Sequence, residues 1–107
     1  MTDKVIVLTT CASAEQAESM ARRLIEARLA ACVSVVPGAQ SYYRWQGAIE
    51  SSAECLLLIK SSRDLAGELQ QEIGRLHSYE LPEFLVLPIV DGSENYLDWM
   101  GRELRSV

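Results

Sequence analysis

The residues of this sequence that are best suited to chemistry lie in segment 77–83. His77 is the only histidine of the chain, and Glu80 and Glu83 follow it at intervals of three residues. An imidazole nitrogen with nearby carboxylate oxygens is a ligand mixture that suits a divalent cation. A lone histidine at the end of a helix also interacts favourably with the negative end of the helix dipole, while glutamates are readily solvated. The residues alone therefore leave a metal site and a structural role open for His77.

The three cysteines, Cys11, Cys32 and Cys55, are 21 and 23 residues apart. Their odd number and the lack of a Cys-x-x-Cys pair argue against a disulfide framework and a zinc knuckle. We expect reduced thiols that pack as small apolar side chains. The sequence contains no nucleophile elbow, Walker loop or glycine-rich dinucleotide motif, so we expect no enzyme.

Composition and charge narrow the class of protein further. The chain has 107 residues, of which 49% are hydrophobic and 23% charged, as in a single globular domain. Ten Lys and Arg stand against 15 Asp and Glu, and the basic residues are scattered, which argues against nucleic-acid binding. No apolar run approaches the ~20 residues that span a bilayer, and the first residues lack the features of a signal peptide. We expect a cytoplasmic protein that binds neither nucleic acid nor membrane.

Apolar periodicity predicts the elements that must position these residues. Strands are predicted at residues 4–10, 32–45, 48–60 and 83–90, and helices at 13–30, 63–77 and beyond residue 93. Capping boxes begin the first two helices at segments 13–16 and 61–64. This order predicts an α+β fold, a ferredoxin-like βαββαβ sandwich with one additional C-terminal helix. Pro37-Gly38 predicts a bulge, Gln46-Gly47 a turn, and Pro88 either a sheet edge or a bulge.

The second and third strands are longer than the helices that must cover them. At 14 and 13 residues and about 3.3 Å per residue, they reach roughly 45 Å, whereas the first helix covers only ~25 Å. The overhanging end still carries the large apolar side chains of Tyr42, Tyr43, Trp45 and Ile49. Another copy that adds its strands to this edge would cover them, and a head-to-tail contact closes into a ring. We therefore predict a cyclic homo-oligomer.

Five segments in order carry a family resemblance. They are 31–38 (ACVSVVPG), 41–50 (SYYRWQGAIE), 58–60 (LIK), 77–83 (HSYELPE) and 96–99 (YLDW). The stretches Tyr-x-Trp-x-Gly-x-Ile-Glu and His-x-Tyr-Glu-x-Pro-Glu are specific, and the match spans essentially the whole chain. The sequence resembles the CutA divalent-cation tolerance family.

This resemblance implies one ferredoxin-like domain over residues 1–107, a tight homotrimer formed through edge strands, and a role in tolerance to copper and other divalent cations. It also implies likeness to the PII signalling trimers. The matched positions expected near the cleft between subunits are Trp45, Glu50, Lys60, His77, Tyr79, Glu80 and Glu83. Copper ligation in the family is linked to the position of His77 with cysteines elsewhere, which adds Cys32 to the expected ligands. Some members have a cysteine within the first strand where this chain has threonines, and the loss of a soft ligand is expected to weaken copper selectivity.

Three hypotheses follow. The first is a non-enzymatic homotrimer that binds copper or another divalent cation through His77, Glu80, Glu83 and Cys32, with no organic cofactor. The second is a PII-like signalling trimer that binds a small molecule in an inter-subunit cleft lined by Trp45, Glu50, Lys60 and Tyr79. The third is a cleft enzyme that uses His77 as a base.

Overall fold

The described part of the chain contains four strands and three α-helices. The computed structural model describes residues 2–106. The elements are β1 (Lys4–Cys11), α1 (Ala14–Glu26), β2 (Cys32–Trp45), β3 (Ala48–Ser62), a 3-10 turn (Arg63–Leu65) that leads into α2 (Ala66–Leu76), β4 (Leu85–Pro88) and α3 (Glu94–Glu103). The strands form one antiparallel sheet in the order β2-β3-β1-β4. The predicted α+β fold with a ferredoxin-like core is confirmed.

The hydrophobic core lies against one face of this sheet. Along β1, buried and half-buried residues alternate, as expected for a strand with one face covered by helices. Val7 of β1 lies directly opposite Ile59 of β3, and Thr9 lies opposite Leu57. The helices contribute Ala17, Met20, Leu24, Leu69 and Ile73. β1 lies between β3 and β4, inside the sheet.

The beginning of α1 agrees with the prediction from the sequence, but its end does not. The Ser13 hydroxyl accepts from the Gln16 backbone N–H at 3.1 Å, as the capping box predicts. The helix was expected to reach residue 30, yet it ends at Glu26. Arg28 takes a left-handed conformation with φ of 58°, and the Leu24 carbonyl accepts from two later backbone N–H groups. This local closure ends the helix early.

The prediction of a capping box at segment 61–64 is wrong. Ser62 makes no side-chain cap bond, and α2 begins only after the 3-10 turn. The Ser61 hydroxyl instead donates to the Leu29 carbonyl oxygen at 2.7 Å, where it is fully buried. Because Ser61 fastens the loop after α1, its hydroxyl is not available to the helix.

The β2–β3 hairpin is at least as long as the sequence predicts. The register shifts between Val36 and Ala39, which confirms the bulge at Pro37-Gly38. Gln46 and Gly47 have φ of 50° and 84°, the pair of positive values that a two-residue type I′ turn requires. β3 extends two residues beyond the prediction, to Ser62. The molecule measures 45 × 26 × 23 Å, so the hairpin sets its long axis.

β4 is shorter than the predicted 83–90, because only Leu85–Pro88 pair with β1. It lies at the sheet edge, one of the two places expected for Pro88.

Among residues 2–106, none of the helices has the length and apolarity to cross a bilayer.

Candidate functional site

His77 follows the last turn of α2 and directs its ring toward β1. Nε2 lies 2.6 Å from the carbonyl oxygen of Thr10, and Nδ1 accepts from the backbone N–H of Tyr79 at 3.0 Å. Since a carbonyl oxygen only accepts, the ring proton belongs on Nε2, and one neutral tautomer fits. Both ring nitrogens are therefore bonded to backbone groups of the same protomer.

Tyr79 packs beside His77 and holds a buried carboxylate. The two ring centroids are 4.6 Å apart. The Tyr79 hydroxyl donates to Glu54 Oε2 at 2.8 Å, and Glu54 is only 9% exposed. Burial, together with the Glu54 carboxylate, raises the pKa of the Tyr79 hydroxyl well above its ordinary range. The hydroxyl thus stays protonated and supplies Glu54 with a donor.

The other predicted metal ligands of this segment, Glu80 and Glu83, are exposed. Within residues 2–106, no three His, Cys, Asp or Glu side chains lie close enough together to hold a metal ion. A cation bound to His77 also requires one ring nitrogen to leave Thr10 or Tyr79. One protomer in this conformation does not assemble the predicted ligand set, and metal ligation by these residues stays a prediction.

Cys32 and Lys60 form a separate group with Tyr96. The two residues are paired across β2 and β3. Lys60 Nζ lies 3.3 Å from the Tyr96 hydroxyl and 3.9 Å from Cys32 Sγ. It also lies 5.5 Å from the Tyr96 ring centroid, within range of a cation–π contact. The hydrogen bond to Tyr96 raises the pKa of Lys60. Within the protomer, Cys32 is therefore grouped with Lys60, and not with His77.

Trp45 and Glu50 lie near the turn of the hairpin, and both are exposed. Ten residues of β3 separate Glu50 from Lys60, which is about 33 Å along a strand. Tyr79 contacts the middle of β3 through Glu54. The predicted cleft residues thus fall at three levels of one hairpin, and a single protomer does not bring them together.

Sequence reasoning missed three members of these groups: Thr10, Glu54 and Tyr96. Glu54 carried a usable signal, because it is an acidic residue at the border of the apolar run that ends β3. A buried carboxylate needs a donor, and Tyr79 is one of few hydroxyl residues nearby. Thr10 acts through its backbone carbonyl, so its side-chain type gave no signal.

Comparison with known proteins decides the family. The sequence model of the CutA1 divalent ion tolerance protein family matches residues 5–103. The chain belongs to the CutA1 divalent ion tolerance family. The divalent-cation tolerance protein CutA of Thermus thermophilus is 45% identical over 95 residues, which is 89% of this chain and 92% of that protein.

Solved CutA structures share the fold at nearly full length. The Cut A1 structure from Thermus thermophilus superposes with a TM-score of 0.93 at 42% identity and covers 95% of this chain and 99% of its own. CutA from Xylella fastidiosa gives a TM-score of 0.95 at 38% identity, covering 97% of this chain and 100% of its own. The resemblance found in the five sequence segments is confirmed.

Proposed function

We propose that this protein contributes to divalent-cation tolerance as a non-enzymatic, cytoplasmic homotrimer that binds copper or a similar divalent cation between its subunits. His77, Glu80 and Glu83 are the proposed ligands, with Cys32 as a soft ligand from another part of the assembly. Tolerance follows from the family, and the assembly and the site are our proposals.

The observation that carries this proposal is the apolar surface left open by one protomer. Tyr42 and Ile49, on the overhanging part of the hairpin, are each 74% exposed. At the opposite sheet edge, Leu85, Val86 and Leu87 of β4 are also exposed. Soluble monomers rarely expose large apolar patches, so these side chains indicate contact surfaces. A head-to-tail contact between the two edges covers both, and the resemblance supports three copies.

Placement of the site residues supports a site between subunits. The groups around His77, Lys60 and Trp45 lie at different levels of the hairpin, so they meet only if different copies contribute them. A net charge of -5 favours the approach of cations over anions. A subunit contact that draws the Tyr79 backbone away frees Nδ1 of His77 for ligation.

Light scattering tests the assembly. We expect a mass about three times the 11.9 kDa of the chain at micromolar concentration. A stable particle of one chain mass contradicts the proposal.

Calorimetry tests the metal site. Reduced protein is titrated with Cu(II) and with Zn(II) at neutral pH, beside His77→Ala and a matched surface control, Glu15→Gln on α1. We expect stoichiometric binding that weakens at least tenfold in His77→Ala and is unchanged in Glu15→Gln. Equal affinity in all three proteins contradicts ligation by His77.

A PII-like signalling role is the second candidate, and the bonding of both His77 nitrogens favours it. In that role the cleft of Trp45, Glu50, Lys60 and Tyr79 takes a small molecule, and the Lys60 ammonium supplies charge for an anionic group. Thermal shift with nucleotides and small carboxylates tests it, comparing Lys60→Gln with Lys4→Gln, whose ammonium already pairs with Asp3. A stabilising metabolite whose effect disappears only in Lys60→Gln supports this candidate, and no shift from any compound counts against it.

A further inference from the structure

Two of the three cysteines face each other across the middle of the sheet. Cys11, the last residue of β1, lies directly opposite Cys55 of β3. Cys11 is 0% exposed and Cys55 is 6% exposed. Directly opposite residues of an antiparallel pair point to the same face, so both thiols lie on the face that packs against the helices.

The spacing of such a pair suits a covalent bond. Directly opposite residues in an antiparallel ladder have Cα atoms about 4.5–5.5 Å apart, within the roughly 4.4–6.8 Å that disulfides span. Both thiols are free in this structure, and the Cys11 thiol donates to the Ser13 carbonyl oxygen at 3.4 Å. We propose that Cys11 and Cys55 are a redox modification site that closes into a reversible cross-strand disulfide when a small peroxide reaches it.

The chemistry balances with hydrogen peroxide as the oxidant. The Cys55 thiolate, the more accessible of the two, attacks one peroxide oxygen and breaks the O–O bond, which gives a sulfenic acid and one water. The Cys11 sulfur then attacks the Cys55 sulfur and releases the second water, while both thiol protons end in the waters. Burial raises the pKa of Cys11, so the closing step accelerates as the pH rises.

The disulfide would lie next to the residues that hold His77 and Tyr79 in the candidate site. Cys11 follows Thr10, whose carbonyl holds the His77 ring, and Cys55 follows Glu54, whose carboxylate holds Tyr79. A covalent link between the two strands fixes the spacing of both anchors. The site is independent of metal ligation and does not rest on the proposed function.

Cys32 provides an internal control. Cys32 lies opposite Lys60. Because Lys60 is five residues from Cys55 along β3, Lys60 and Cys32 lie on the other face of the sheet. Neither Cys11 nor Cys55 can bond to it within one protomer without unfolding the hairpin.

Peroxide treatment and peptide mapping test the inference. The reduced, folded protein is exposed to hydrogen peroxide, alkylated and digested, beside Cys32→Ser treated in the same way. We expect a peptide pair linked through Cys11 and Cys55 in both proteins, a mass loss of two hydrogens per chain, alkylation of Cys32 in the parent, and full reversal by a dithiol reductant. The thermal midpoint should rise by about 10 °C, and exchange of the Tyr79 amide hydrogen should slow.

Three results would overturn the inference. One is that all three thiols remain open to alkylation after peroxide, and another is that only Cys32 is oxidised. The third is a Cys11–Cys55 link that forms in urea-unfolded chains but not in folded ones. Since the mapping uses the parent protein and Cys32→Ser, it does not depend on the folding of a Cys11 variant.

Discussion

The two ends of the β2–β3 hairpin differ in what covers them. At the end near Lys60, α1 and α2 pack on the sheet, and Leu57 and Ile59 are completely buried. At the end near the Gln46-Gly47 turn, Tyr42 and Ile49 are each 74% exposed. Both ends belong to one continuous ladder of hydrogen bonds, interrupted only at the bulge. The hairpin therefore joins a region that the helices of the same chain cover to a region whose apolar side chains one chain leaves exposed.

Substitution in the helix-covered end should have the largest effect. Leu57→Ala removes a side chain that is fully buried, and such truncations lower the free energy of unfolding by about 2–5 kcal/mol. Chemical denaturation measures the loss. The volume-conserving Leu57→Met is the matched control and should cost less than about 1.5 kcal/mol. Similar losses for both variants would show that this end is not tightly packed.

A substitution in the overhanging end should act on assembly. Ile49→Ser is nearly neutral if Ile49 stays in solvent, but it forfeits about 1.5–3 kcal/mol per chain if another copy buries the side chain. We expect light scattering to show partial dissociation and a lower thermal midpoint. Ser51→Ala, on the same face two residues along β3, should leave the mass unchanged. An intact assembly with Ile49→Ser would remove the distinction between the two ends.

Between the two ends, Tyr79→Phe tests the Glu54 contact. Without the phenol, Glu54 loses its donor while it stays buried, which should cost about 1–3 kcal/mol. Tyr43→Phe is the control, because the Tyr43 hydroxyl makes only a 3.5 Å contact with the Ser52 hydroxyl, and that contact is exposed to solvent. A loss of stability no larger than that of Tyr43→Phe would show that water replaces the phenol as the hydrogen-bond donor to Glu54.

The same contact predicts a pH dependence. The pKa of Tyr79 is raised in the folded protein. Its contribution to the free energy of unfolding is therefore complete below the ordinary tyrosine pKa of about 10, and it decreases as the pH rises above that value. Denaturation midpoints measured from neutral to strongly alkaline pH should therefore fall less steeply in Tyr79→Phe than in the parent. Parallel pH profiles of the two proteins would contradict the raised pKa of Tyr79.

The smallest predicted effect is a gain within the core. Of the buried side-chain nitrogen and oxygen atoms in the described part of the chain, Thr9 Oγ1 alone has no hydrogen-bond partner. Thr9→Val keeps the shape and removes this unsatisfied hydroxyl, so the free energy of unfolding should rise by about 1 kcal/mol. Thr10→Val, whose side chain lies on the opposite face, should change stability by less than about 0.5 kcal/mol. A loss of stability in Thr9→Val would indicate that the hydroxyl has a partner after all.

Most of the fold was predictable because periodicity and turn chemistry act locally. The Ser13 cap, the Pro37-Gly38 bulge and the Gln46-Gly47 turn each depend on a few neighbouring residues. The errors come from contacts distant in sequence. Ser61 has the right type and place for a cap, but it bonds the Leu29 carbonyl instead. No pattern within segment 61–64 indicates that competition.

The position of His77 was predictable, and the geometry around its ring was not. His77 was correctly placed at the end of a helix. Both partners of its ring are backbone groups, one of them 67 residues away on β1. Every residue type carries a carbonyl and almost every one an N–H, so no residue type indicates that the ring nitrogens are bonded to the backbone.

The central position of β1 also affects how the chain folds. β1 is synthesised before both of its neighbours, and it pairs with β3 about 50 residues later and with β4 about 80 residues later. Until β3 leaves the ribosome, the apolar segment of β1 has no strand partner, and such segments are prone to aggregate. Pairings this distant are also closed slowly, because the entropy of the intervening chain is lost before the contacts form. Chaperone dependence and slow refolding are therefore expected costs of placing the first strand at the centre of the sheet.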